Sequence, residues 1–121
     1  NIGFDEGGRV PMNDWVANYN SFVDKDPWMV PFWWPRLLED PVFQQAVKVR
    51  WQALRGSELS AGSMQKVVDD AVQVLTKNGA VARNYKLWDQ SLGVNHDQSI
   101  QNLKNYLTER ASWMDGRIGS W

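Results

Sequence analysis

The chain has 121 residues, enough for one domain of ordinary size with a single hydrophobic core. Its 13 basic and 14 acidic side chains give a net charge of −1, so it lacks the basic surface expected of a nucleic-acid-binding protein. It has no cysteine, which excludes disulfide scaffolds, thiolate zinc sites and cysteine nucleophiles. Tryptophan supplies 8 of its aromatic residues, more than tyrosine and phenylalanine together, and this richness needs an explanation.

No stretch approaches the roughly 20 apolar residues that cross a bilayer, so the sequence predicts no transmembrane segment. The first residue is Asn1, with no initiator methionine and no signal-like segment, so we expect a processed chain or a fragment. Charge is uneven along the chain. Residues 1–40 are acidic overall, whereas residues 41–121 are mildly basic.

Residues 1–31 are rich in Gly, Pro, Asn and Asp, which predicts an irregular leader. A short helix near Asn13 can carry Trp15 and Tyr19 within this leader. Residues 32–121 form the predicted helical body, and its first element is a short apolar helix that ends before Asp40. The chain is therefore expected to be a single domain or fragment in which the leader packs on the helical body.

Two strong helix starts follow. Asp40 precedes Pro41, which is the arrangement of an N-cap and a first helical residue, and apolar spacing continues to Arg55 before Gly56. Ser60 is a second predicted N-cap, ahead of a broad apolar stripe.

The second of these helices is predicted to continue past Gly79 as far as Trp88, because one glycine costs only about 1 kcal/mol inside a helix. A turn over residues 93–97 and a last helix capped by Asp97 or Ser99 complete the chain. No strand-like alternation occurs over a useful length. The sequence predicts an all-α fold, with the leader packed on three to four helices.

Few residues suggest chemistry. His96 is the only histidine and is expected in a solvated turn or a cap, because no nucleophile lies near it in sequence. The pair Asp69 and Asp70 is expected on a solvated helix face, and Glu39 with Asp40 at a helix cap. The glycines of residues 4–9 do not form a phosphate-binding motif.

Two interpretations remain for Trp28, Trp33 and Trp34. They could form an exposed platform for sugar rings, a membrane interface or a partner, or they could anchor the leader in the core, which we favour. The tryptophans of the longer helices are expected in the core, and the arginines beside them are expected to stack on rings or bind helix-end carbonyls rather than phosphate. These residues are Trp51, Trp88, Trp113, Arg50, Arg55 and Arg110.

Five segments, in order, resemble the C-terminal part of the spore-coat-protein-H (CotH) kinase family. They are PFWWPRLLEDPVF (residues 31–43), VRWQALR (residues 49–55), LS (residues 59–60), ARNYKLW (residues 82–88) and the L-x-x-R-x-x-W-M-D pattern of residues 107–115. The resemblance covers residues 1–118 and implies the helical part of an atypical protein-kinase-like fold.

The resemblance also implies ATP- and Mg²⁺-dependent phosphoryl transfer to surface or secreted proteins in the full-length protein, at a bacterial envelope or spore coat. The catalytic lysine and aspartates of the family lie upstream of the segments seen here, so this chain alone is expected to be non-catalytic, with no cofactor of its own and the upstream kinase-like part as its partner.

Residues 1–4 resemble the end of the metal-binding segment of that family, which implies a weak magnesium ligand role for Asn1 in the full-length parent. Residues 4–7 depart from the family pattern, and the alternative is that Asn1 is an ordinary chain terminus. A different class of function also stays open, namely a surface module that binds glycan or protein through Trp28, Trp33 and Trp34, or a structural coat component.

Overall fold

The computed structural model describes residues 11–23, 29–92 and 95–121, and every regular element in these ranges is helical. This confirms the predicted all-α fold with an irregular N-terminal region. The elements are a 3-10 helix Val16–Ser21, α1 (Trp34–Leu37), α2 (Pro41–Arg55), α3 (Ala61–Thr76), a 3-10 turn Lys77–Gly79, α4 (Ala80–Leu92) and α5 (His96–Gly119).

The chain divides into two compact units, Asn1–Ala53 with Glu109–Trp121 and Leu54–Thr108. In the first unit, Tyr19 and Val30 are buried against each other. The side-chain amide of Asn20 donates to the Val30 carbonyl at 2.9 Å and accepts from the Val30 amide at 2.8 Å. These two hydrogen bonds hold the extended segment at Val30 against the 3-10 helix, because they satisfy backbone groups that would otherwise be unpaired.

In the second unit, α3 packs on α4. Val68 is buried on the inner side of α3, whereas its neighbour Val67 is exposed. Among the described residues, no helix is long and apolar enough to cross a membrane.

Both predicted helix starts are confirmed. The Asp40 carboxylate accepts hydrogen bonds from the backbone amides of Val42 at 2.7 Å and Phe43 at 3.1 Å. The Ser60 hydroxyl accepts from the Ser63 amide at 3.2 Å. Each cap satisfies amides in the first turn that have no partner within the helix.

Replacing Asp40 by alanine should lower the free energy of unfolding by about 1 kcal/mol, because α2 loses its cap. The adjacent carboxylate of Glu39 is a matched control, and its alanine variant should change stability by less than about 0.5 kcal/mol. Urea titrations followed by far-ultraviolet circular dichroism compare the two variants. Equal losses would show that the effect comes from charge rather than from the cap.

The prediction of one continuous helix through Gly79 is wrong, because the chain breaks between α3 and α4. Asn78 has φ 57° and Gly79 has φ 69°, both in the left-handed region. Asparagine and glycine enter this region more readily than other residues, and two in succession end α3. The guanidinium of Arg83 in α4 donates to the Asn78 carbonyl and so stabilises the turn.

Alanine substitutions at two glycines of this unit should have opposite effects. Gly79→Ala should destabilise by about 1 kcal/mol, because a Cβ is strained at positive φ. Gly62→Ala lies in α3 with open space around the added Cβ and should stabilise by about 0.5 kcal/mol. Thermal unfolding of both variants tests the pair. A Gly79→Ala variant as stable as the parent would contradict the assigned turn geometry.

The start of α5 differs from the predicted cap at Asp97 or Ser99. The Asn95 side chain accepts from the Gln98 amide at 2.8 Å, and its backbone carbonyl accepts from the Ser99 amide at 3.0 Å. Asparagine is as good an N-cap as aspartate, so Asn95 can cap the helix two residues before Asp97. Asp97 consequently lies in the first turn of α5, where a negative charge is favourable.

Candidate functional site

A cluster of tryptophans joins the leader to the end of α5 in the first unit. The Trp15 ring lies 4.7 Å from the Trp113 ring and 5.5 Å from the Trp121 ring, measured between centroids. Aromatic pairs at such distances contribute beyond simple area burial. Trp15 and Trp121, for which no role was predicted, therefore belong to the same structural cluster as Trp113.

Arg110 completes this cluster. Its guanidinium carbon lies 4.5 Å from the centroid of the Trp113 ring and 6.0 Å from that of Trp15. The same guanidinium donates to the backbone carbonyls of Met12 and of Asp14, the latter at 2.7 Å. The expected structural role of this arginine is confirmed, since it stacks on aromatic rings and binds carbonyls.

Two polar contacts tie α2 to the last turns of α5. The indole N–H of Trp51 donates to the Asp115 carboxylate at 2.8 Å. The Lys48 ammonium donates to the carbonyls of Gly119 at 3.0 Å and Trp121 at 2.7 Å. A cation at the C-terminal end of a helix satisfies carbonyls without partners and interacts favourably with the helix dipole. These hydrogen bonds connect α2 to the C-terminal end of α5 within the first unit.

An aromatic patch lies at α1. The side chain of Trp33 is 48% exposed and that of Trp34 is 36% exposed, with the rings edge to face at 6.3 Å. Phe32 beside them is also exposed. A cavity of about 250 Å³ adjoins the patch, and every side chain that lines it is apolar or an indole: Ala17, Trp33, Trp34, Leu37, Leu38 and Phe43. Trp28 lies outside the described residues.

The expectation that Trp88 belongs to the core is wrong for this chain. Its side chain is 60% exposed in α4, and the neighbouring Leu87 is exposed as well. Both residues lie in α4, which the break at Asn78 separates from α3, and the sequence analysis did not predict this break. Trp51 and Trp113, in contrast, are half-buried.

His96 is placed differently from the expected solvated turn. It is the first residue of α5, its side chain is largely covered, and its ring meets Tyr85 edge to face at 6.3 Å. Its Nδ1 lies 3.2 Å from the exposed Asp97 carboxylate, while its Nε2 has no hydrogen-bond partner in the described part of the chain. The adjoining open cleft is lined by no serine, no cysteine and no second histidine among these residues.

The carboxylates of α3 are engaged with lysines. Asp69 lies 2.5 Å from the Lys104 ammonium, and Asp70 lies 2.7 Å from that of Lys66. Their expected position on a solvated helix face is confirmed, because both side chains are exposed. In the described ranges, no group of three or more His, Asp or Glu could hold a metal ion. Asn1, the predicted magnesium ligand, lies outside the described ranges.

The outer face of α2 differs from the sequence prediction, which assigns Val42 and Ala46 to one apolar face together with Phe43 and Val47. Val42 is 80% exposed and Val49 is 57% exposed, although both are apolar and lie in a regular helix. The signal was available, because Val42, Ala46, Val49 and Ala53 follow the spacing of four, three and four residues that is typical of a helix-packing seam.

The chain was compared with protein families, curated proteins and solved structures. No curated protein and no solved structure matched the chain. The family model described as CotH kinase protein matches residues 5–114. That range contains Trp15, Arg110 and Trp113 of the tryptophan cluster, the caps of α2 and α3 and the patch at α1, whereas Trp121 lies beyond it. Because the match extends over most of the sequence, as the resemblance of its motifs indicated, the chain belongs to the CotH kinase family.

Proposed function

We propose that this chain serves as the helical C-terminal part of a larger CotH kinase protein and packs against the kinase-like part upstream. The observation that carries the proposal is the imbalance between buried and exposed apolar side chains. The buried apolar residues of the described ranges are Tyr19, Val30, Val68, Ala111 and Ile118. Large exposed ones lie in both units: Phe32, Trp33, Val42, Val49, Val67, Val74, Leu75, Leu87 and Trp88.

Such a set of apolar side chains favours contact with another protein surface. Single exposed apolar residues are ordinary, but rows of them along helices mark places where a partner excludes water. The rigid frame around Arg110 and Trp113 supports this role, because it holds a helical surface in a fixed form for docking.

In the proposed role, ATP, Mg²⁺ and phosphoryl transfer to surface or secreted proteins belong to the larger protein. The chain alone is expected to have no kinase activity, and no step is assigned to its own residues. Isothermal titration with ATP in the presence of Mg²⁺, together with a radiolabelled phosphate-transfer assay, tests this expectation. Binding or autophosphorylation by the isolated chain would contradict it.

Family membership supports an extracellular or cell-surface location, at a bacterial envelope or spore coat. Immunogold labelling of the parent cells with an antibody against this chain tests the location. Label at the envelope or coat is expected, and label confined to the cell interior would contradict the proposal.

The packing role is tested with the parent reading frame. The chain and the sequence that precedes it in that frame are expressed separately and mixed, and the mixture is analysed by size-exclusion chromatography with light scattering. We expect a complex of one copy of each. A variant with aspartate at Val67 and at Leu87 should form it more weakly, whereas the exposed Gln101→Ala variant should not. Independent elution of the two unaltered parts would contradict the proposal.

A second candidate function is supported by the patch at α1. Half-exposed Trp33 and Trp34 beside an apolar cavity suit a surface module that binds a protein or glycan partner. The almost wholly apolar lining favours a protein side chain over a sugar, whose hydroxyls need polar partners.

Fluorescence titration of the chain with glycans and with apolar peptides tests this second function. A spectral shift that disappears in Trp33→Ala but persists in a Phe22→Ala control would support it. A purely structural coat component predicts no response to either ligand, and its partners would be sought by pull-down.

A further inference from the structure

The helix α2 presents apolar residues on two faces. Phe43, Val47 and Trp51 lie on the inner face and are half-buried within the first unit. Val42 and Val49 lie on the outer face and are exposed. A helix that is apolar on two faces is typical of one covered from both sides. The outer face therefore lacks a partner of its own within the described residues of this unit.

The shape of this outer face suits a second helix. Val42, Ala46, Val49 and Ala53 alternate a branched side chain with a methyl group along one seam. Small residues allow close approach, and branched residues fill the spaces between the side chains of the facing helix. A sheet or an irregular loop would not match the spacing of four, three and four residues.

Charge defines the chemistry of the facing helix. α2 contains Lys48, Arg50 and Arg55 and no aspartate or glutamate. Lys48 contacts backbone carbonyls at the end of α5, whereas no hydrogen bond or ion pair engages Arg50 within the residues that the structure describes. A second copy of α2 would bring two basic helices together, and such a juxtaposition of like charges is unfavourable. The complementary helix is acidic.

We propose that the outer face of α2 binds an acidic amphipathic helix, whose apolar seam packs on Val42, Ala46 and Val49 and whose carboxylates face Arg50. This inference rests on the proposed function, because the acidic helix is expected in the kinase-like part of the same protein. It goes further by naming which surface is covered and the chemistry of the segment that covers it.

Two synthetic amphipathic helical peptides test the inference on the full 121-residue chain. Both carry leucine at the seam positions, and their flanking positions hold glutamate in one peptide and lysine in the other. Fluorescence anisotropy of the labelled peptides should show binding of the acidic peptide at least about tenfold tighter than of the basic peptide at low salt. High salt should reduce this difference, because the contacts are exposed.

Variants assign the effect to α2. Arg50→Glu should reverse the preference between the two peptides, since it changes the charge beside the seam without altering the apolar contacts. Val49→Asp should abolish binding of both, whereas Val67→Asp, at an exposed valine of the other unit, should leave it unchanged. Circular dichroism confirms that each variant retains its helices. Because Arg50→Glu alters only an exposed side chain, it also tests the inference if Val49→Asp unfolds.

Equal binding of the two peptides, no binding of either, or an Arg50→Glu variant with unchanged preference would overturn the inference. A concentration-dependent dimer of the chain that Val49→Asp dissociates would overturn it in favour of a second copy. If the peptide test fails while the chain still binds the upstream part of its parent protein, the acidic helix at α2 is refuted and the proposed function stands. If both fail, both are refuted.

Discussion

Arg110→Ala should lower the free energy of unfolding by about 3 kcal/mol, the largest loss expected from a single charged residue in the described part of the first unit. The guanidinium donates to two leader carbonyls and stacks on two indole rings, and alanine removes all of these contacts at once. The carbonyls of Met12 and Asp14 would lose a charged donor in a partly buried setting, which adds a desolvation cost.

The measurement is urea unfolding followed by tryptophan fluorescence, to which Trp15 and Trp113 contribute. Arg110→Lys should recover only part of the loss, because an ammonium cannot serve both carbonyls and stack on a ring in the same geometry. Arg117→Ala is the matched control, an exposed arginine on the same helix, and it should change stability by less than about 0.5 kcal/mol. Equal losses for residues 110 and 117 would contradict the structural role of the cluster.

Ile118→Ala should cost about 3 kcal/mol, because it removes the most deeply buried large side chain of the described residues. Only 1% of this residue is exposed, so three carbons removed from it leave a cavity that the neighbouring side chains fill incompletely. Ile118→Val should cost only about 1 kcal/mol.

Val42→Ala is the control for this series, since its side chain is almost fully exposed in the isolated chain and should contribute less than about 0.5 kcal/mol. Chemical denaturation of the three variants gives the ranking. A Val42→Ala loss as large as that of Ile118→Ala would show that the outer face of α2 is already covered in the isolated chain, which contradicts the proposed docking surface.

The helix starts were predictable because they depend on local chemistry. Asp40 before Pro41, and Ser60 before an apolar stripe, cap their helices through contacts only two or three residues away. The start of α5 was missed by a few residues, because Asn95 and Asp97 are chemically similar caps and only the backbone conformation distinguishes them.

The break at Asn78 was harder to predict. The cost of Gly79 inside a helix is small, and only the pair of left-handed residues, with the bond from Arg83 to the Asn78 carbonyl, ends α3. The exposure of Trp88 was also hard to predict, because an apolar pattern indicates that a helix face will be covered but not by which partner.

The role of Arg110 was predictable in kind but not in detail. An arginine three residues before Trp113 can stack on the ring from helical spacing alone. Its contacts with Met12 and Asp14 join residues almost a hundred positions apart, and no local pattern indicates such a pair. The contacts of Trp15 with Trp113 and Trp121 were not predictable for the same reason, because these residues are also far apart in the sequence.

Hydrogen–deuterium exchange of the isolated chain and of the same residues within the full parent protein tests the central proposal most directly. We expect much slower exchange in the parent for amides of α2, α3 and α4, whose apolar faces become covered. Little change is expected around Ala111 and Trp113, which already pack within the isolated chain. The same exchange rates in both settings for α2, α3 and α4 would contradict it.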